Sequence, residues 1–100
     1  MDIEKEITGN QLLVKASGRI DASTAAEYGS SITDSIEDDN IKHLTLDFSN
    51  INYISSLGLR IILELQKKMN TLGSMKVIHV QPDVMEVFNI TGFSKILVIE

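Results

Sequence analysis

The residues with the clearest chemical potential are two adjacent serines, Ser55 and Ser56, at the start of a strongly apolar segment. A serine hydroxyl can accept a phosphate or cap the free amide groups at the start of a helix. The amides and the dipole of a helix N-terminus attract anions, so a phosphate on Ser56 would be tolerated there. The pair therefore permits two interpretations, as helix caps or as a phosphorylation site.

The pattern around the serines does not favour an enzyme. The segment lacks the first glycine of the Gly-x-Ser-x-Gly turn that presents the nucleophile of many hydrolases. Asp21, Asp47 and Ser56 could gather near one sheet edge, but no histidine obviously completes a triad. His43 and His79 have no carboxylate at ligand spacing, and no glycine-rich loop with a lysine is present to hold a nucleotide. We therefore expect no catalytic residue, no metal site and no cofactor.

Apolar residues follow the serines around most of the helical circumference from position 57 to 65. A helix packed on a sheet needs only an apolar stripe, so this distribution has two interpretations. The helix is either deeply buried, or part of its surface, at Leu57 and Ile61, stays exposed and binds a partner. Both can hold at once. Gly58 is expected to let another surface approach closely.

The bulk composition places further limits on function. One hundred residues with 43% hydrophobic content predict one domain spanning residues 1–100. The absence of cysteine excludes disulfides and thiol chemistry, and a net charge of -5 disfavours nucleic-acid binding and suits a basic protein partner. The N-terminus has no apolar stretch of signal-peptide length, and no apolar run could span a bilayer. We expect a cytoplasmic protein that is not inserted in a membrane.

Periodicity and turn residues predict five strands. A weakly alternating edge strand at 3–7 and a second strand at 12–16 open the chain. A buried strand follows at 41–48, another at 75–80, and a last short strand at 96–99.

Three helices separate these strands. Thr24 and Glu27 match a capping box at the start of the first helix. The second helix begins at the serine pair and ends before Gly73, and the third begins at Pro82 and ends at Gly92. The order β-β-α-β-α-β-α-β predicts an α/β fold with a mixed, mostly parallel sheet covered mainly on one side by helices.

The segment from Leu46 to Leu59, LDFSNINYISSLGL, resembles the signature of the STAS family, the sulfate-transporter and anti-sigma-antagonist domain. That signature is a strand ending in Asp, a short spacer with a hydrophobic pair, Asp-Ser-Ser/Thr-Gly-Leu, and then a helix. The run from Gly18 to Asp21 is similar to a second family signature, and the segment from Pro82 to Gly92 is similar to the family's third helix. The resemblance spans essentially the whole chain.

The resemblance implies an anti-sigma factor antagonist. In the family, the serine after the signature aspartate is phosphorylated by a kinase that is also the anti-sigma factor, and by position that serine is Ser56. The unphosphorylated protein binds this kinase and frees the sigma factor, and the phosphorylated protein lets go. A phosphatase is a further candidate partner, and weak homodimerisation is left open. The implied partner-binding residues are Asp21, Ser55, Ser56, Leu57, Gly58 and Ile61.

Two positions depart from the family signature. Ser55 replaces its aspartate, and Leu57 replaces the small polar residue before the glycine. The first change removes a negative charge beside Ser56, the implied phosphate acceptor, and makes Ser55 an alternative phosphate acceptor. Two other functions stay open: a STAS subunit of a membrane lipid-transport (ABC) complex, and an interaction module that binds constitutively without phosphorylation.

Overall fold

The computed structural model describes residues 1–100. The chain forms a four-stranded sheet and three α-helices, and a short 3-10 turn at Phe93–Lys95 follows the last helix. In chain order the elements are β1 (Asp2–Thr8), β2 (Gln11–Ile20), α1 (Ala25–Asp38), β3 (His43–Ile54), α2 (Ser56–Leu72), β4 (Ser74–Ile78) and α3 (Pro82–Thr91).

The strands lie in the order β1-β2-β3-β4, and only the β1–β2 pair is antiparallel. The mixed, mostly parallel sheet predicted from the sequence is therefore confirmed. Because β2 and β3 run in the same direction, the residues that follow them meet at one edge of the sheet. The topology thus decides which side chains are brought together.

One face of the sheet is buried under the helices. In β2, Leu12 and Val14 are buried, and Leu13 and Lys15, which alternate with them, are partly exposed. Burial in β3 alternates in the same way from Leu44 to Phe48. This period of two is typical of a sheet with one covered face, and it confirms the helices on one side. The covered face and the helices share one hydrophobic core. No helix is long and apolar enough to cross a membrane.

Irregular pairing near the end of β3 changes the direction of its side chains. The β2–β3 register shifts between Lys15 and Ser17 and again between Gly18 and Arg19. Buried residues of β3 are consequently three apart beyond Phe48, at Ile51 and Ile54.

The capping box predicted at Thr24 is wrong. The Thr24 side chain makes no cap bond to the helix; its Oγ1 donates to the carbonyl of Arg19 over 2.6 Å and accepts from the amide of Asp21 over 3.0 Å. The backbone carbonyl of Asp21 instead closes the turn that leads into α1, because it accepts hydrogen bonds from the amides of Thr24 and Ala25. A carbonyl at the end of β2, five residues back, therefore takes the place of the helix amide that a capping box requires.

The last predicted strand, at 96–99, is reduced to one bridge. Only Ile99 pairs with Val77 of β4, in parallel. Leu97 is buried, whereas the side chains of Ile96 and Val98 are exposed. The apolar run predicted a continuous strand, but only its alternate residues contact the core.

Candidate functional site

The ends of β2 and β3 carry the serine pair and Asp21 at one edge of the sheet. Ile20 and Ile54 are paired in register, and the amide of Ser55 donates to the carbonyl of Ile20 over 2.9 Å. We call the four residues that follow these strands and lie nearest this edge the serine edge: Asp21, Ser55, Ser56 and Leu57.

The two serines have different roles at the start of α2. Ser55 has an extended backbone, is half-buried, and its Oγ accepts from the amide of Gly58 over 3.1 Å. Ser55 is therefore the N-cap of the helix. Ser56 is exposed, and its hydroxyl forms no hydrogen bond within the chain. The hydroxyl available for chemistry is that of Ser56.

The close approach expected at Gly58 is present, but it is made within the chain. The residue is buried, and a Cβ placed on it would lie 2.8 Å from Cγ2 and the carbonyl oxygen of Ile20 and 2.8 Å from Cγ1 of Ile54. The close approach that this glycine permits is thus made by β2 and β3 of its own chain. A partner at the serine edge would contact the residues around it.

The apolar surface of α2 is divided between core and solvent. Leu59, Ile62 and Leu65 lie in the core, whereas Leu57 keeps 41% of its surface exposed. Ile61 is half-buried, because it packs over Gly29 of α1. The buried and the exposed interpretations of this helix each apply to part of it.

A cleft of about 450 Å³ lies between α1 and α2 beside Ile61. Its α1 side is formed by small residues, and charged groups lie along its rim. The lining residues are Ala26, Gly29, Ser30, Thr33, Asp34, Ile61, Glu64, Leu65 and Lys68.

Asp21 is held in a tight turn after β2. Its Oδ1 accepts from the hydroxyl of Ser23 over 2.7 Å and from the amide of Ser23 over 3.0 Å. Its Oδ2 lies 3.5 Å from Nε of Arg19. Hydrogen bonds from Ser23, first from its side chain and then from its backbone, hold the pKa of the Asp21 carboxyl below its ordinary value. Asp21 therefore stays ionised beside the serine pair.

Sequence reasoning missed the pair formed by Arg19 and Tyr53. The register shift places these two residues opposite each other on neighbouring strands. The guanidinium of Arg19 lies 3.9 Å from the centroid of the Tyr53 ring, within cation–π distance. Both residues are exposed. The sequence at the end of β2, Arg19 and Ile20, gives no signal that an aromatic ring lies opposite.

Asp47 does not join the serine edge. It pairs with Ile78 further back along the sheet, and its Oδ1 accepts from the amide of Ser49 over 2.9 Å and lies 3.3 Å from Nδ1 of His79. Burial opposes ionisation of Asp47, but the hydrogen bonds from Ser49 and the contact with His79 outweigh it and lower its pKa. The sequence left open that Asp21, Asp47 and Ser56 gather at one edge, and the structure separates Asp47 from the other two.

Comparison with known proteins identifies relatives over nearly the whole chain. The model of the STAS domain matches residues 2–100. The anti-sigma F factor antagonist of Paenibacillus polymyxa is 30% identical over 98 residues, which cover 97% of this chain and 84% of the relative.

Solved structures show the same fold. The crystal structure of an anti-sigma factor antagonist from Mycobacterium paratuberculosis is similar with a TM-score of 0.87 at 23% identity, covering 98% of this chain and 83% of that one. The unphosphorylated form of the antagonist SpoIIAA is similar with a TM-score of 0.84 at 16% identity, covering 99% and 88%. The phosphorylated form of SpoIIAA, a Bacillus cell fate determinant, is similar with a TM-score of 0.76 at 15% identity, covering 99% and 91%.

Proposed function

This chain belongs to the STAS domain family, and we propose that it is an anti-sigma factor antagonist of the cytoplasm. Its unphosphorylated form binds an anti-sigma factor through the serine edge and so releases a sigma factor. The same partner, acting as a serine kinase, phosphorylates Ser56 and ends the interaction, and a phosphatase restores the binding form. The name of the Paenibacillus polymyxa relative supports this role.

The observation that carries the proposal is the free hydroxyl of Ser56 next to the exposed side chain of Leu57. A kinase needs an accessible hydroxyl, and Ser56 offers one at the surface. The hydroxyl of Ser55 is already bound to the amide of Gly58. Phosphorylating Ser55 would break a helix cap, which is worth about 1 kcal/mol. The geometry therefore favours Ser56 over Ser55 as the acceptor.

A phosphate on Ser56 would act by excluding the partner, with the fold unchanged. The first turn of α2 contains no acidic residue, so its amides can face an anion without repulsion. In an apolar interface beside Leu57, however, an unpaired dianion must lose its water at a cost of several kcal/mol. A loss of about 3 kcal/mol lowers affinity about a hundredfold, which is enough for a switch. SpoIIAA, which shares this fold, is itself known in unphosphorylated and phosphorylated forms.

Intact mass after incubation with ATP and the purified cognate anti-sigma factor tests the modification. We expect the wild type to gain one phosphate, Ser56→Ala to gain none, and Ser55→Ala to gain one while losing about 1 kcal/mol of unfolding free energy through its missing cap. A phosphate that persists in Ser56→Ala would place the acceptor elsewhere. No phosphate on the wild type would favour a constitutive binding module.

Binding to the same partner tests the surface. We expect Ser56→Asp and Leu57→Asp each to weaken binding at least tenfold, with the circular dichroism spectrum of the wild type retained. Ile90→Asp is the matched control, because Ile90 is an exposed apolar residue of α3 at the far end of that helix, with 76% exposure. Equal losses in Leu57→Asp and Ile90→Asp would show a nonspecific effect and contradict the proposed surface.

A further inference from the structure

The surface around the serine edge is less acidic than the rest of the chain. The protein has a net charge of -5, yet no Asp or Glu occurs between Phe48 and Leu63, and the one carboxylate of the serine edge, Asp21, is paired with Arg19. The cation of this surface is Arg19 at the end of β2, with 57% of its side chain exposed. Arg60, in the second turn of α2, is paired with Glu64 of the same helix over 3.5 Å. The neutral cap at Ser55 also leaves the partial positive charge of the helix start uncancelled.

Arg19 is held in place before any partner arrives. Its guanidinium lies over the ring of Tyr53, and its Nε lies 3.5 Å from Oδ2 of Asp21, whose other oxygen is occupied by Ser23. Asp21 thus occupies Nε of the guanidinium, and the two terminal amino groups remain free to donate. A fixed guanidinium loses less rotamer freedom on binding than a mobile one does.

We propose that Arg19 binds a carboxylate of the anti-sigma factor, so that the partner contacts this surface through an acidic side chain. The proposal rests on the proposed function, because it concerns the same surface. The planar guanidinium matches a carboxylate through two parallel hydrogen bonds. Tyr53, on which Arg19 is stacked, and Leu57 of the serine edge are 40% and 41% exposed and add apolar area to this surface.

A carboxylate bound to Arg19 would give phosphorylation of Ser56 a second way to oppose partner binding. Ser56 lies three residues beyond Tyr53, on which Arg19 is stacked. A phosphate on Ser56 would add a dianion to the surface on which Arg19 is to bind the partner's carboxylate. Repulsion between the two anions would then add to the cost of dehydrating the phosphate.

The experiment measures affinity for the purified cognate anti-sigma factor by calorimetry at 50 and 500 mM NaCl. We expect Arg19→Gln to bind about tenfold more weakly than the wild type at 50 mM NaCl, with a smaller difference at 500 mM, because salt screens the lost ion pair. Arg19→Lys keeps the charge but lacks the planar guanidinium, so its affinity should lie between those of the wild type and Arg19→Gln. Lys95→Gln removes the same charge from the exposed 3-10 turn after α3 and should bind as the wild type does.

A charge exchange then identifies the partner's group. Arg19→Glu should abolish binding, and one Asp→Lys or Glu→Lys change in the anti-sigma factor should restore it. Wild-type affinity in Arg19→Gln, or an affinity loss that is identical at both salt concentrations, would overturn the proposal. If Arg19→Gln binds normally while Ser56→Asp does not, the proposed function stands without this contact. If both bind normally, the proposed function itself fails.

Discussion

At the serine edge, the amide of Ser55 donates to the carbonyl of Ile20 over 2.9 Å. At the opposite edge, where β3 and β4 begin, the amide of Ser74 donates to the carbonyl of Lys42 over the same distance. Each edge also has a glycine in tight contact with the chain. Gly58 packs against Ile20 at the serine edge, and Gly73 packs against the backbone of Lys42 at the opposite edge. Both edges are therefore closed by the same kind of backbone contact.

The two edges differ in the side chains that they expose. The serine edge presents Ser56 and Leu57 beside the stacked Arg19 and Tyr53. The opposite edge receives the end of α1, where the exposed residues 37–39 are all acidic. Close backbone contact at an edge is therefore a requirement of the fold, whereas the proposed partner binding depends on the side chains that surround that contact.

The largest effect is expected at the opposite edge. Gly73→Ala would drive a Cβ into the carbonyl group of Lys42, which is backbone and cannot rotate away. We expect a loss of about 3 kcal/mol or more in the free energy of unfolding, measured by urea denaturation. The folded fraction should bind the anti-sigma factor with wild-type affinity. A stability within about 0.5 kcal/mol of the wild type would mean that this contact does not constrain the fold.

A smaller loss is expected for the matched change at the serine edge. In Gly58→Ala, the new methyl group meets side-chain atoms of Ile20 and Ile54 as well as one carbonyl oxygen, all at 2.8 Å. Alanine is also the better helix former, which offsets part of the strain. We expect a net loss of about 1–2 kcal/mol in unfolding free energy. Normal stability with impaired binding would show instead that the partner contacts Gly58. The backbone at the serine edge would then take part in binding, unlike the backbone at the opposite edge.

Local signals predicted the elements around both edges. The apolar run, the serine pair and Gly73 placed α2 correctly from Ser56 to Leu72, and Pro82 and Gly92 bounded α3. These boundaries depend on neighbours within one or two turns of the chain, so they can be read without knowing the tertiary structure. The family resemblance implied that Asp21 lies near the serine pair, and the structure places both at one edge of the sheet.

The features that the sequence did not predict involve the end of β2 and the elements that approach it. The hydroxyl of Thr24 binds the carbonyl of Arg19 across the turn, where the local pattern predicted a capping box. Gly58 is required by the approach of β2, and Arg19 meets Tyr53 only because the register shifts beside Gly18. No spacing within one segment reports the register between two strands, so these contacts required the structure.

The smallest effect is expected from the ionisation of Asp21 at the serine edge. Hydrogen bonds from Ser23 hold its pKa below the ordinary value of 3.8. A carboxyl whose pKa is lowered on folding stabilises the protein above its unfolded pKa, and this contribution is lost as the pH falls through the folded pKa. The unfolding free energy of the wild type should therefore decrease below about pH 4, and Asp21→Asn should weaken that dependence. Asp34→Asn, a change of an exposed α1 residue, is the control and should retain the wild-type pH profile. Identical profiles for the wild type and Asp21→Asn would show that the Asp21 turn does not stabilise the serine edge through its charge.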